Sequence, residues 1–381
     1  MQIKNHTHKM LSFLPLSHIY ERSMTYEYQF LGISTYYAES IGSIAADLSD
    51  CHADGFCSVP RVLEMIFTKF ESTGKNLKGV QAVIYRWAFN LACEYDYTKK
   101  GFIYSLKHKL ADKLVYKKWR NALGGKEMLV VSGGSSIQAK IIRLFTAAKM
   151  YIFEGYGMTE ASPVIAVNNP KDMIIQIGTV GKTFAGTELM IAEDGEILTR
   201  GPHVMKGYYK DPENTRAIID SEGWLHTGDI GVIVDGFVKI TDRKKEIFKL
   251  SAGKYIAPQV LENMLREFNT IENCMVIGEN QKFASALIVP SFTYLRTWAS
   301  NKGLVYESNE DLIMLAEVIS LINKDIEILN KQLAPHEQIK RARLVSDEWS
   351  PINEMLSQTL KLKRAKIKAK YEAIINEIFD L

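Results

Sequence analysis

Cysteine is scarce in this chain, with four residues, Cys51, Cys57, Cys93 and Cys274, in a length of 381. Their spacing fits neither a metal-ligand set nor the density of a secreted disulfide scaffold, so they read as incidental residues of a protein from a reducing cytoplasm. Cys51-His52 lies near Cys57, but no second pair completes a zinc set. No apolar run reaches the roughly 18 residues that a transmembrane helix needs. The N-terminus places Lys4, His6, His8 and Lys9 before a short apolar stretch, without the h-region or cleavage site of a signal peptide. These absences predict a soluble protein with at most peripheral contact with the inner membrane face. A charge surplus is missing as well. Lys plus Arg number 47 against 44 for Asp plus Glu, too even a balance for a nucleic-acid protein. Internal repeats and low-complexity tracts are also lacking.

What is present describes a globular chain long enough for two or three domains, with 46% hydrophobic and 24% charged residues. Residues 10 to 130 carry few strong signals beyond a helix after Pro60, with Val62, Leu63, Ile66, Phe67 and Phe70 at helical spacing. Met128 to Val131 reads as a buried strand, Ser132-Gly133-Gly134-Ser135 as a turn, Gln138 to Lys149 as a helix and Tyr151 to Phe153 as a second strand. That alternation predicts a parallel sheet, whose strand ends are the usual place for ligands. From Gly178 to Ile240 the texture changes to short strands, with Asp194-Gly195 and Asp235-Gly236 as hairpin turns of a small antiparallel unit. The run Asp242-Arg243-Lys244-Lys245-Glu246 then predicts a charged, exposed domain boundary. Past it, Pro258 to Phe268 and Leu312 to Leu333 read as helices, and Met275 to Gly278 and Ala286 to Val289 as strands. The expected fold is α/β, with residues 1–241 in a large domain, 242–249 as a hinge and 250–381 in a smaller α+β domain.

The residues with chemistry in them cluster in four places. Gly155-Tyr156-Gly157-Met158-Thr159-Glu160 reads as a glycine-flanked turn carrying an aromatic plane, a hydroxyl and a carboxylate. Such a turn can approach a flat base, hydrogen-bond a phosphate and offer a hard oxygen to magnesium, although taken alone a tight turn after a strand accounts for Gly-Tyr-Gly more simply. Ser132 to Ser135 invites comparison with a phosphate-binding Gly-rich loop, but Ala139 stands where the second glycine belongs and Ile141 where the Ser or Thr belongs. Asp229, after Gly228, has two oxygens suited to the hydroxyls of a ribose, and is otherwise a turn former. Arg243 could reach a ribose or phosphate, and is otherwise one half of a surface ion pair.

In this order and spacing, these segments resemble the AMP-forming acyl-CoA synthetases of the adenylate-forming superfamily, and the long-chain fatty acid–CoA ligases in particular. Eight ordered stretches carry the resemblance: Leu11 to Arg22 with its Leu14-Pro15-Leu16-Ser17-His18, Ser58 to Val62, Gly133-Gly134-Ser135, Gly155 to Glu160, Gly207-Tyr208-Tyr209, Trp224 to Asp229, Asp242 to Pro258, and Thr359 to Arg364. The resemblance implies ATP-dependent activation of a fatty carboxylate to acyl-AMP and transfer of the acyl group to coenzyme A. It implies that Gly134 and Ser135 line the adenine pocket, that Gly155, Tyr156 and Gly157 close over the base, and that Thr159 holds phosphate and Glu160 magnesium. It further implies Asp229 and Arg243 on the ribose, Lys245 as the hinge residue, Gly253 near the pantetheine tunnel, His18 near the active site, and Lys363 as the adenylation lysine, with Lys361 as the alternative alignment.

One part of the family pattern is not found. The Ser/Thr/Gly-rich loop ending in Lys-Gly, which wraps the β and γ phosphates upstream of the Leu-Pro-Leu-Ser-His segment, has no counterpart here. The expectation is therefore a truncated N-terminal domain with exposed apolar surface, little ATP–pyrophosphate exchange, and retained transfer from supplied acyl-AMP. A fragment or mis-started form of an ordinary ligase is the favoured reading, ahead of one half of a split enzyme completed by an N-terminal fragment, and of a non-catalytic interaction module. At the other end, six of the ten residues from Lys361 to Lys370 are basic. Ile367, Tyr371, Ile374, Ile375, Ile378 and Phe379 recur at helical spacing, predicting a packed helix over 365–381 whose lysines face solvent, coenzyme A phosphates or membrane.

Overall fold

The computed structural model describes residues 8–96, 101–168, 175–357 and 360–380. Lys4 and His6 of the N-terminus, and Thr359 of the last family-like stretch, lie outside them. By contacts the chain divides into two units: one of residues 1–227 and 232–240, the other of 228–231 and 241–381. The division runs through a hairpin, so four residues around Asp229 group with the second unit.

The first unit is built on a seven-stranded sheet of β1 (Lys9–Ser12), β2 (Ser34–Tyr37), β3 (Gly55–Ser58), β4 (Met128–Ser132), β5 (Met150–Gly157), β6 (Val164–Val167) and β7 (Lys182–Thr183). Its order is β2-β1-β3-β4-β5-β6-β7. The five strands from β2 to β5 pair in parallel, and β6 and β7 add on antiparallel. Central strands of a parallel sheet are covered on both faces, which is why they read as unbroken apolar runs. Leu11, Phe56, Val130, Ile152 and Phe153 are fully buried, against helices Pro60–Asn76 and Ala139–Ala147 that bring Leu63, Phe67, Ile141, Ile142 and Phe145. Each such side chain contributes about 1.5–3 kcal/mol by leaving water.

A four-stranded sheet follows, in the order β11-β10-β9-β8, from β8 (Glu188–Ile191), β9 (Glu196–Arg200), β10 (Leu225–Val234) and β11 (Phe237–Arg243). Both expected hairpins form. At the second, Asp235 and Gly236 both adopt positive φ, 52° and 81°, the backbone that a two-residue turn of this hand requires.

The second unit is a smaller α+β body. Its three-stranded sheet of β14 (Ile271–Ile277), β15 (Ala284–Pro290) and β16 (Ile339–Leu344) pairs antiparallel and then parallel, preceded by the short pair β12 (Phe248–Lys249) and β13 (Tyr255–Ile256). The single helix expected over 312–333 is instead two, Asn309–Met314 and Ala316–Asn330, broken at an extended Leu315. Leu312 and Val318 are both fully buried. Six residues apart, they would stand about 120° apart on one continuous helix, and the break lets both reach the core. The terminal helix is likewise divided, into Arg364–Lys370 and Glu372–Asp380, at Tyr371. Tyr371 is buried, with its hydroxyl donating to Asp347 at 2.8 Å.

Candidate active site

In the first unit the candidate residues gather at the carboxyl ends of the parallel strands. β4 ends at Ser132, and the turn that follows holds Gly134 at φ +87°, with the nearest atom to an added Cβ, Val59 Cγ1, 3.9 Å away. Glycine serves this backbone, and the space beside it stays open. The Tyr20 ring packs over Gly133, and its hydroxyl donates to the Val131 carbonyl at 3.0 Å. Ser135 is exposed on the same turn.

Gly155 to Gly157 do not form the turn expected of them. β5 continues through all three, with Gly155 opposite Val167, Tyr156 opposite Ala166 and Gly157 opposite Val164. Neither glycine has a positive φ; a Cβ at Gly157 would run into the Pro163 carbonyl. Close approach of a neighbouring strand, rather than a turn, therefore demands glycine there. Tyr156 is 7% exposed and most of its ring belongs to a small core with Ile165, Ile197 and Leu225. The actual turn comes at Thr159–Ala161. Thr159 is exposed on it, and Glu160 accepts a hydrogen bond at Oε1 from the Tyr208 hydroxyl at 2.8 Å. The family-like Gly207-Tyr208 pair thus meets Glu160 directly.

Two buried carboxyls at this end of the sheet escape a reading of residue types alone. Glu154 lies beside Ser132 in register, and Glu21 sits in the first helix, Ile19–Phe30. Burial pushes Glu154 up to about 8, with the Ile137 amide opposing, and pushes Glu21 up to about 7, with the Ser12 hydroxyl opposing. Among the described residues, both Glu21 oxygens, Glu154 Oε2 and the Ser12 and Ser132 hydroxyls lack a hydrogen-bond partner of good geometry. Carboxyls buried without a cation are pushed toward the neutral form, in which they can both donate and accept. The signal that could have found them is register: Ser58, Ser132 and Glu154 stand side by side at the last rung on which β3, β4 and β5 pair in parallel. His18, by contrast, is the N-cap of that first helix, its Nδ1 accepting from the Tyr20 amide.

The second unit holds the remaining candidates. Asp229 is buried in the middle of β10, not in a turn, and Arg243 on β11 donates to it from Nε at 2.9 Å. Lys245 is exposed in a turn closed by the Glu246 and Ile247 amides on the Arg243 carbonyl. Gly253, at φ +83°, turns the chain between β12 and β13.

The two lysines differ in their surroundings. Desolvation, and then the positive charge of Arg243, pull the Lys361 ammonium below its ordinary value, while Asp229 and Glu246 oppose. Lys363 is the N-cap of the helix Arg364–Lys370, and its charge adds to the hydrogen bond and charge of Lys366 in holding the Glu354 carboxylate low. Next to it, Arg364 donates to both oxygens of buried Glu262, at 2.8 and 2.7 Å, and to Glu246 at 3.0 Å. Gln259 and the Val276 amide complete this group. Asp242, just before the charged run, is buried and pushed up to about 7 by that burial.

Comparison with known proteins bears on both units. The profile of AMP-binding enzymes matches residues 1–209, and that of the AMP-binding enzyme C-terminal domain matches 245–381. The chain is 32% identical to the long-chain-fatty-acid–CoA ligase FadD15 of Mycobacterium tuberculosis, over 98% of this chain and 62% of that protein. It is 32% identical to the peroxisomal long chain acyl-CoA synthetase 7 of Arabidopsis thaliana, over 97% and 55%, and 31% identical to human long-chain-fatty-acid–CoA ligase 1, over 97% and 54%. It therefore spans little more than half the length of these relatives. Among solved structures, the A domain of a carboxylic acid reductase from Segniliparus rugosus, in complex with AMP and a co-purified carboxylic acid, superposes with a TM-score of 0.72 at 20% identity, over 97% of this chain and 54% of that one. O-succinylbenzoate coenzyme A synthetase from Bacillus subtilis, with ATP and magnesium ion, gives 0.62 at 18%, over 95% and 61%. At those identities the likeness is one of fold.

Proposed function

This chain belongs to the AMP-binding enzyme family, and on that premise we propose that it takes part in activating a long-chain fatty acid to its acyl-AMP and passing the acyl group to coenzyme A. The observation that carries the reading is the set of strand-end residues in the first unit: an open, left-handed Gly134, the glycines of β5, and Glu160 held by Tyr208. A carboxylate is a poor electrophile, so its oxygen must first become part of a leaving group. In the proposed reaction the fatty carboxylate attacks the α phosphorus of ATP and expels pyrophosphate; the coenzyme A thiol then attacks the acyl carbon and expels AMP.

The residues present fit a nucleotide. Gly134 and Ser135 leave room for a base beside the strand ends, Gly155 to Gly157 bring backbone close to it, and exposed Thr159 offers a hydroxyl to phosphate. Asp229, with Arg243 beside it, would take the ribose hydroxyls. Magnesium, when bound, would neutralise phosphate charge, with Glu160 supplying one oxygen. Among the described residues no three His, Cys, Asp or Glu converge as a metal cage. Lys361 and Lys363 are the candidate cations for the first step. Lys363 is the first candidate and Lys361 the alternative, the latter close enough to Asp229 and Arg243, the proposed ribose ligands, to interact with their charges. Lys245 would serve as hinge and Gly253 as part of the pantetheine path.

The test supplies the purified chain with fatty acid, ATP, magnesium and coenzyme A, and separately with synthetic fatty acyl-AMP and coenzyme A, following AMP and thioester by mass spectrometry. Thioester from acyl-AMP supports the reading. Folded protein that yields none in either assay contradicts it. Lys361→Ala and Lys363→Ala separate the lysines, since only the adenylation lysine should suppress the ATP-dependent reaction while sparing transfer from acyl-AMP.

A further inference from the structure

The helical stretch Phe102–Asn121 has two faces with opposite characters. It runs as a helix over Phe102–Ala111, a π turn over Asp112–Tyr116 and a helix over Lys117–Asn121. The inner face is fully engaged. Ala111, Val115, Tyr116 and Trp119 are buried; the Trp119 indole donates to the Tyr85 hydroxyl at 2.9 Å, and the Tyr116 hydroxyl to the Ala88 carbonyl at 2.9 Å. Trp119 also stacks on Phe70 with ring centres 4.9 Å apart. These contacts fix which face points outward.

The outward face is apolar. Phe102 is 84% exposed, Ile103 70%, Leu106 61% and Leu110 51%, and Leu114 continues the stripe. On a helix these positions fall within about a third of the circumference. Around them stand Lys107, Lys109, Lys113, Lys117 and Lys118, all exposed, and none pairs with a carboxylate among the described residues. The one acid of the stretch, Asp112, is taken by Arg120. Two other surfaces show that this combination is particular. Exposed Phe30, Tyr36 and Tyr37, around β2, have Glu27 and Glu39 near them in the chain and no lysine cluster. In the basic C-terminal run the three lysines of the helix Arg364–Lys370 are paired, Lys366 with Glu354, Lys368 with Glu279 and Lys370 with Asp347.

We propose that the outer face of Phe102–Lys118 is a docking surface for an anionic phospholipid bilayer. The apolar stripe would enter the boundary between headgroups and acyl chains, and the lysine stems would reach back so that their ammonium groups meet lipid phosphates. A protein partner or a second copy would leave five like charges facing each other or needing five matching acids. A lipid surface supplies both an apolar layer and a fixed negative charge. No helix among the described residues is long and apolar enough to cross a membrane, so the contact is peripheral. The inference rests on exposure and charge and does not depend on the reaction proposed above.

The experiment is co-sedimentation of the full 381-residue chain with vesicles of phosphatidylcholine mixed with phosphatidylglycerol, and with phosphatidylcholine alone. The proposal expects binding to the anionic vesicles, much weaker binding to the neutral ones, and loss as salt rises. A Lys107→Glu, Lys109→Glu, Lys113→Glu variant should bind at least about a hundredfold more weakly, from about 1 kcal/mol per lysine near the surface. An Ile103→Ser, Leu106→Ser, Leu110→Ser variant should lose binding while keeping its circular dichroism spectrum and unfolding midpoint, since these side chains are already in water. Folded chain that ignores anionic vesicles, or vesicle binding unchanged in both variants, overturns the proposal. So does self-association of the chain that the serine variant abolishes, with no vesicle binding, which would give this face to a second copy.

Discussion

Two groups of buried acids in this molecule were solved in opposite ways. At the strand ends of the first unit, Glu21 and Glu154 are buried with no cation, and both are pushed toward the neutral form. In the second unit Glu262 is buried just as deeply, but Arg364 meets it with two hydrogen bonds and Glu246 takes a third. Burial pushes the Glu262 carboxyl upward while the guanidinium and the Val276 amide counter it, and the two carboxylates hold Arg364 charged, above its usual range. The difference teaches where each unit has spent its polar atoms. The second group is internally satisfied and reads as a structural clamp, tying the segment after Lys363 to the end of the charged run at Glu246 and to Glu262 beyond it. The first keeps unpartnered donors and acceptors at the place where a parallel sheet offers ligands.

Breaking the clamp should have the largest effect. Arg364→Met leaves Glu262 buried without its cation and is expected to lose about 3–5 kcal/mol in denaturant unfolding. Adding Glu262→Leu should return much of that loss, because the second substitution removes the orphaned charge; a double variant no better than the single would refute the pairing as the cause.

The neutral acids should reveal themselves through pH. Since the folded carboxyl of Glu154 is raised from 4.5 to about 8, the native state binds more protons than the unfolded state between those values. Its stabilising contribution is complete below about 4.5 and is lost as pH rises through about 8. Glu154→Gln should flatten that decline by a few kcal/mol across the window, measured as urea midpoints at several pH values. An equal decline in both proteins would mean that Glu154 is not neutral in the fold.

Smaller effects sharpen the comparison within the proposed nucleotide site. Gly157→Ala sets a methyl against the Pro163 carbonyl and should cost about 1–3 kcal/mol through displaced backbone. Tyr208→Phe removes one donor from Glu160 at a partly exposed position, so its cost in stability should stay below about 1 kcal/mol. Its expected signature is weaker magnesium-dependent ATP binding by calorimetry, without a shift in unfolding midpoint.

Much of the architecture was legible beforehand because it follows from local pattern. The apolar run of Met128 to Val131, the Asp-Gly turns and the helix after Pro60 each became the expected element. The departures came where distant parts of the chain decide. Gly155 and Gly157 look like turn glycines, yet β6 folds back onto them and makes them strand glycines. Leu312 and Val318 belong to one core but not to one helical face, so Leu315 breaks the helix. Glu154 and Glu21 look like solvated charges in a sequence; only the strand register and the first helix bury them. Asp229 and Arg243, with two readings each, proved to be paired with one another across a hairpin.

The most direct test of the account is calorimetric titration of the purified chain with AMP. The account predicts saturable binding of one AMP per chain, weakened by at least about tenfold in Asp229→Asn, which removes a charged acceptor for the ribose hydroxyls. Folded protein that shows no saturable AMP binding, or binds AMP equally with Asn at that position, would contradict it.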